Sequence, residues 1–181
     1  IKIIPLNGKY VPKRGDTIIG IVKDMTITNW FVDIGYAYDA VLSSKEISVD
    51  YLERGTDISQ FYDIGEVIVA KIINVSKSKL IDLTMRGPSL RKLTIGRMIK
   101  VSSVKVPRII GKEGSMISMI KELTDCRITV GQNGLVWLNG NDSRKERIAV
   151  EAINMVCEKP HEQNLTEKVK EFLEKRIKEN V

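Results

Sequence analysis

Val106-Pro107-Arg108-Ile109-Ile110-Gly111-Lys112-Glu113-Gly114-Ser115-Met116-Ile117 gathers the residue types in this chain best suited to holding a ligand. Two glycines three apart let the backbone turn sharply and come close to a bound group. A helical apolar pattern starts directly after them. Free backbone N–H groups and the positive end of a helix dipole therefore sit beside the turn. Lys112 adds a cation between the glycines, and Glu113 sets an acid next to it. This arrangement favours noncovalent capture of a sugar–phosphate backbone over the making or breaking of bonds.

Other chemistries lack their residues. His161, the one histidine, stands in a linker and reads as a solvated side chain, so no Ser/His/Asp set has its base. Asp50, Glu53 and Asp57 lie in a loop pattern and read as a solvated acidic face. Cys126 and Cys157 have neither metal-ligand spacing nor the number for a disulfide scaffold. Each sits in an apolar pattern, which predicts buried thiols in a reducing, cytoplasmic compartment. No metal, no cofactor and no catalytic apparatus is expected. No apolar run approaches membrane-spanning length, so no membrane partner is expected. Lys77, Lys79, Arg86, Arg91 and Lys92 fit either a phosphate path or a scatter of solvated cations.

The elements that must position the glycine turn can be read from periodicity. With 43% hydrophobic and 29% charged residues, the 181-residue chain has the composition of a globular protein with room for two modest cores. Its net charge is +6. Residues 10–96 carry eleven basic and eleven acidic side chains, whereas residues 97–160 carry eleven and seven, so most of the excess lies with the glycine turn. Such an excess favours polyanions.

Five short strands are expected in the first part: residues 17–22, 29–35, 36–42, 66–75 and 81–85. With little helix among them, they suggest a small OB-type barrel. Gly87-Pro88 breaks that pattern, and residues 90–96 read as a basic connector. The second part predicts a strand over 98–106, a helical turn over 107–110, and a helix carrying Met116, Ile117, Ile120 and Leu123. A hairpin of 127–130 with 135–138 follows, then a helix capped by Asn141 or Asp142. Gly131-Gln132-Asn133-Gly134 reads as the hairpin turn, with Asn and Gly supplying positive φ. A last amphipathic helix carries Val169, Phe172, Leu173 and Ile177, preceded by Asn164-Leu165-Thr166-Glu167 in the manner of a capping box.

These residues carry resemblances. The glycine turn within its β-α-α-β-β-α order resembles the GXXG loop of a type I KH domain, which clamps single-stranded nucleic acid. Residues 14–22, 31–34, 65–72 and 81–86 resemble an S1-type RNA-binding barrel, in which surface aromatics stack bases. By position Phe31 fits one aromatic site of that family, Thr28 occupies another, and Leu42 stands where a His is usual. The order S1 then KH is similar to that of the archaeal RNA-binding cap subunits of the exosome. Two local runs support this. Tyr10-Val11-Pro12-Lys13-Arg14-Gly15-Asp16 resembles that family's Tyr-x-Pro-x-x-Gly-Asp run, and Gly131-Gln132-Asn133-Gly134 its GxNG run.

The resemblance implies residues 1–12 as the remnant of an N-terminal β domain, 13–87 as the S1 barrel, 88–96 as a linker, 97–160 as the KH domain and 161–181 as a C-terminal helix. It implies a non-catalytic subunit that binds single-stranded RNA and sits with other cap subunits on a hexameric RNase PH-like core. That core degrades RNA phosphorolytically from the 3′ end. RNA contact is implied for Arg108, Ile109, Ile110, Gly111, Lys112, Glu113, Gly114, Ser115, Ile117, Arg127 and Thr129. In the barrel it is implied for Phe31, Tyr38, Lys71 and Arg86. Gly131, Asn133 and Gly134 are implied to form a structural contact between domains. Two other readings stay open from sequence: a free-standing S1/KH regulator of transcription or translation, and a chiefly structural ring component that has lost most RNA affinity.

Overall fold

A computed structural model of the chain describes residues 8–47, 60–158 and 164–178. Most of the expected N-terminal remnant, the acidic positions Asp50, Glu53 and Asp57, and His161 lie outside them. The chain divides into two compact units. One comprises residues 9–94 together with 131–133; the other is built mainly of residues 95–130 and those from 134 onward.

The first unit is a closed barrel. β1 (Thr17–Met25), β2 (Asn29–Asp33), β3 (Ala40–Ser43), β4 (Val67–Val75) and β5 (Ile81–Thr84) pair in the order β1-β2-β3-β5-β4, and β4 returns to β1. All these pairings are antiparallel except β3 with β5. The β-branched residues of these strands alternate between an apolar interior and the surface. Ile18, Val22, Trp30, Val32, Ile68, Ile72 and Leu83 form the interior core. Trp30 is wholly buried and satisfies its indole N–H on the Tyr62 carbonyl at 2.9 Å, with the two rings edge to face at 5.4 Å.

The Tyr-x-Pro-x-x-Gly-Asp run has a physical role here. The Asp16 carboxylate accepts from the Tyr10 hydroxyl at 2.7 Å and the Lys13 amide at 3.2 Å. Gly15, at φ +95°, then donates to the Ile72 carbonyl at 2.8 Å. Burial, and then the neighbouring Asp16 carboxylate, hold the Tyr10 phenol well above its ordinary pKa, so it stays a donor.

Two expectations for the barrel change. The third strand starts at Ala40, not Tyr36. Asp33 Oδ1 accepts from the Gly35 amide at 2.8 Å, and Gly35 takes φ +73°, which turns the chain before it can pair. The connector over 90–96 contains a strand, β6 (Arg91–Leu93), paired antiparallel with β4. Three residues are too few to show a period, and of them Leu93 alone is buried.

The second unit places three antiparallel strands in the order β7-β9-β8: β7 (Arg97–Lys100), β8 (Cys126–Val130) and β9 (Leu135–Gly140). Helices α1 (Val106–Ile110), α2 (Ser115–Thr124), α3 (Ser143–Glu158) and α4 (Leu165–Lys178) share one apolar core with Cys126, Ile128, Val136 and Leu138 of the sheet. The expected strand over 98–106 stops at Lys100 because its partner ends. Lys100 pairs with Leu135, the first residue of β9, and the Val101 amide already turns to the Gly134 carbonyl at 2.8 Å. Asp142 is the cap of α3, its carboxylate accepting from the Arg144 amide at 2.8 Å. The final helix docks on α2 and α3, burying Leu165, Val169 and Leu173 in their core. Cys126 is buried in the core and Cys157 half-buried beside it; burial pushes both thiols up, so they stay protonated.

Residues 131–133 do more than turn a hairpin. β2 pairs with β1 only from Ile21 onward, which leaves the backbone of Thr17–Ile19 without a strand on that side. The turn takes that place. The Gln132 amide donates to the Thr17 carbonyl at 2.8 Å, and Asn133 Oδ1 accepts from the Ile19 amide at 3.3 Å. Asn133 Nδ2 donates to the carbonyls of Ile19 and Ile34 at 2.7 and 2.9 Å. Asn133 is therefore chosen for its amide and not for positive φ, which in this turn belongs to Gly134 at +84°. A buried polar group that loses its partner costs roughly 1–3 kcal/mol. Asn133→Ala is expected to destabilise the barrel by about 3 kcal/mol and to speed exchange of the Ile19 amide, both read in denaturant-dependent hydrogen exchange. Asn133→Asp, which cannot donate to either carbonyl, should do no better.

Candidate nucleic-acid interface

The glycine turn is built by three consecutive constraints. Pro107 sits in the first turn of α1, where a missing N–H costs nothing. The helix closes when the Gly111 amide reaches the Pro107 carbonyl at 3.0 Å. Gly111 then adopts φ 77°, ψ 177°, a region open essentially to glycine alone. A Cβ at that position would lie 2.7 Å from the Met116 nitrogen. Lys112–Gly114 form one tight turn in which Glu113 takes the left-handed φ 53°, ψ 26°, and Gly114 follows at φ 82°.

α2 starts immediately afterwards, and no side chain caps its first turn. The tight turn itself takes the first of its amides, since Gly114 donates to the Gly111 carbonyl at 3.3 Å and Ser115 to the Lys112 carbonyl. What remains at the positive end of this ten-residue helix is the dipole and the N–H groups of the following residues of the first turn. Lys112, Glu113, Ser115 and Arg108 are exposed around the turn, Ile110 is half-buried, and Ile117 is 8% exposed. Ile109 is wholly inside the core and can support an apolar floor only from beneath.

Two residues assigned to this site from sequence are not brought to it. In β8, Cys126 and Ile128 point into the helix-covered core, so Arg127 and Thr129 point to the opposite face of the sheet. Thr129 pairs there with Trp137, against whose indole Gly96 fits without a Cβ.

On the barrel, Phe31 is an outward, half-buried position of β2, paired with Val41 on one side and Asp24 on the other. Val41 in turn pairs with Asp82. Thr28 is exposed and Leu42 wholly buried, so neither adds a ring to this surface. Tyr38 lies in the bend after β2 and is 51% exposed, its ring 6.0 Å from Tyr36 and under the Lys79 ammonium at 5.7 Å. Lys71 points outward from β4 between Thr17 and Thr84. Arg86 is exposed, and its guanidinium donates to the Lys45 carbonyl. Among the described residues no group of three His, Cys, Asp or Glu could hold a metal ion.

A closed S1-type barrel joined to a β-α-α-β-β-α unit with an uncapped Gly-x-x-Gly turn defines an RNA-binding protein of the S1–KH class. The S1 RNA binding domain profile matches residues 11–86, and a KH domain profile matches residues 96–144. The chain is 44% identical over 184 residues to exosome complex component Rrp4 of Thermococcus kodakarensis, covering 99% of this chain and 71% of the relative. It is 40% identical over 182 residues to the component of the same name in Pyrococcus furiosus, covering 99% and 69%. A crystal structure of an exosome complex RNA-binding protein superposes with a TM-score of 0.82 at 33% identity, covering 96% of this chain and all of that one. The chain belongs to the Rrp4 family of exosome components.

The loop geometry separates the roles of its glycines. Gly111→Ala is expected to lower the stability of its unit by about 3 kcal/mol, from a disfavoured backbone region and a clash with Met116. Gly114→Asn, in open space and in a region Asn tolerates, should cost about 1 kcal/mol or less. Urea unfolding midpoints of the two variants check this ordering.

Proposed function

We propose that this chain is a non-catalytic RNA-binding cap subunit of the archaeal exosome. It recruits single-stranded RNA to a phosphorolytic 3′→5′ exoribonuclease ring and feeds it toward the pore. The observation that carries this reading is the uncapped start of α2 beside Gly111–Gly114 in a chain of the Rrp4 family. Amide groups and a helix dipole bind phosphate without regard to base identity. Lys112 supplies the charge, with Arg108 and Ser115 beside it, and Ile110 and Ile117 form the apolar edge on which a base can rest. Phe31 and Tyr38 are stacking surfaces on the barrel, and Lys71 and Arg86 its cations. Family membership favours this over a free-standing regulator, since the relatives that match nearly the whole chain are named as exosome components.

RNA affinity should fall with salt, because each phosphate contact on a single strand contributes roughly −0.7 to the slope of log K against log salt. Lys112→Asp changes charge without disturbing either glycine. It is expected to weaken binding about tenfold, uniformly across homopolymers, and to flatten that slope by about 0.7. Phe31→Ala and Tyr38→Ala should each cost roughly 1–3 kcal/mol if the ring stacks a base. Fluorescence anisotropy over a salt series measures these effects. Added to a reconstituted nuclease ring, the wild-type chain should speed RNA decay more than Lys112→Asp does. Phosphate-dependent decay by the purified chain alone would overturn the non-catalytic assignment.

A further inference from the structure

The KH profile ends at residue 144, and an unassigned cationic recess begins there. It has a volume of about 190 Å³ and is lined by Arg144, Arg147, Ile148 and Glu151 of α3 and Arg176 of α4. That is space for roughly six waters, enough for a phosphate group with its hydration. Three guanidiniums face one carboxylate. Glu151 is held by Arg176 at 3.1 Å, and Phe172 supports that guanidinium from 5.7 Å. Arg147 stands four residues before Glu151, the spacing of a helical ion pair, but the carboxylate is engaged by α4 instead. Neither the Arg144 nor the Arg147 guanidinium has an ionic partner among the described residues.

Glu151 is the one acid among the lining residues, so an anion entering the recess meets a net positive surface. The planar guanidinium fork matches phosphate oxygens two at a time. Arg176 already leans on Glu151 and Phe172, which lowers the ordering cost of binding. α3 packs on α1 and α2, so the helical layer that carries the Gly111–Gly114 turn also carries the recess. The arginines meet no aromatic ring suited to a base, since Phe172 is already occupied by Arg176.

We infer that the Arg144–Arg147–Arg176 recess is a second, sequence-independent phosphate site for RNA, separate from the glycine turn. This rests on the RNA-binding reading above. A strand long enough to leave the glycine turn gains a second hold on the same unit, while a short one does not.

The test compares the full-length wild-type chain with Arg144→Gln/Arg147→Gln on two single-stranded RNAs. One has about four nucleotides, the span a Gly-x-x-Gly loop clamps; the other has roughly 25. The double variant is expected to bind the long RNA about tenfold more weakly, with a salt slope flatter by about 1.4, and the short RNA like wild type. Unchanged affinity and slope on the long RNA, in a protein that Lys112→Asp does weaken, overturn the recess alone. Failure of the wild type to bind RNA overturns both readings. The arginine side-chain N–H resonances of wild type should also move with the long RNA. Movement with inorganic phosphate or polyglutamate but not with RNA overturns the RNA assignment, in favour of a free anion or an acidic protein respectively.

Discussion

The backbone of β1 at Thr17–Ile19 must find hydrogen-bond partners, and the barrel's own strands supply only one side of it. A buried amide or carbonyl cannot be left unpaired without a cost comparable to much of a domain's net stability. Asn133 and the Gln132 amide close that account with four bonds to Thr17, Ile19 and Ile34. Residues more than a hundred positions downstream are thereby part of the first unit. The requirement also explains the composition of the turn. The side chain at 133 must accept one bond and donate two, which among small residues leaves Asn, since a Ser or Thr hydroxyl has a single donor. The residue at 131 can carry no Cβ, since one would lie 2.8 Å from the Ile19 nitrogen. At 134 the residue must tolerate positive φ against the Val101 carbonyl.

The glycine turn is governed by a different constraint. Gly111, Glu113 and Gly114 all have positive φ within four residues, and this folds α1 back into α2 without a linker. The short path is what strips the α2 start of a capping side chain. The absence of a cap is therefore a consequence of the connection as much as of any ligand. The barrel offers a contrasting surface. Its outward neighbours along β1, β3 and β5 around Phe31 include Asp24 and Asp82, so acidic side chains stand beside that ring. The excess of cations lies in the second unit, where residues 97–160 carry eleven basic and seven acidic side chains.

Much of this was legible in the sequence, and what was not has identifiable reasons. β-branched runs and helical spacing located nearly every element, because burial on one face imposes those periods. β6 was invisible because three residues carry no period. The early end of β7 was invisible because it is set by where β9 begins, a tertiary fact. At the site, Gly111 and Gly114 were evident from type and spacing. Arg127 and Thr129 fit the edge of the base groove by motif, whereas strand alternation sets them on the sheet face away from the helices, because a motif fixes strand order but not which face a residue takes. Asn133 was read for its backbone, whereas its side chain does the work. The Arg144–Arg147 pair left a trace as an i, i+3 repeat, but Arg176 reaches it only through the packing of α4 on α3.

Glu113 has one more consequence. A left-handed backbone angle is ordinarily given to Gly or Asn, and here it holds an acidic residue exposed on the turn. The angle serves the turn, but the charge does not, and it weighs against a polyanion bound there. In the RNA-feeding role proposed above, that acid would shorten dwell time. A strand that pauses briefly at each contact moves on under a modest pull, whereas a tight clamp would make the cap itself the slow step.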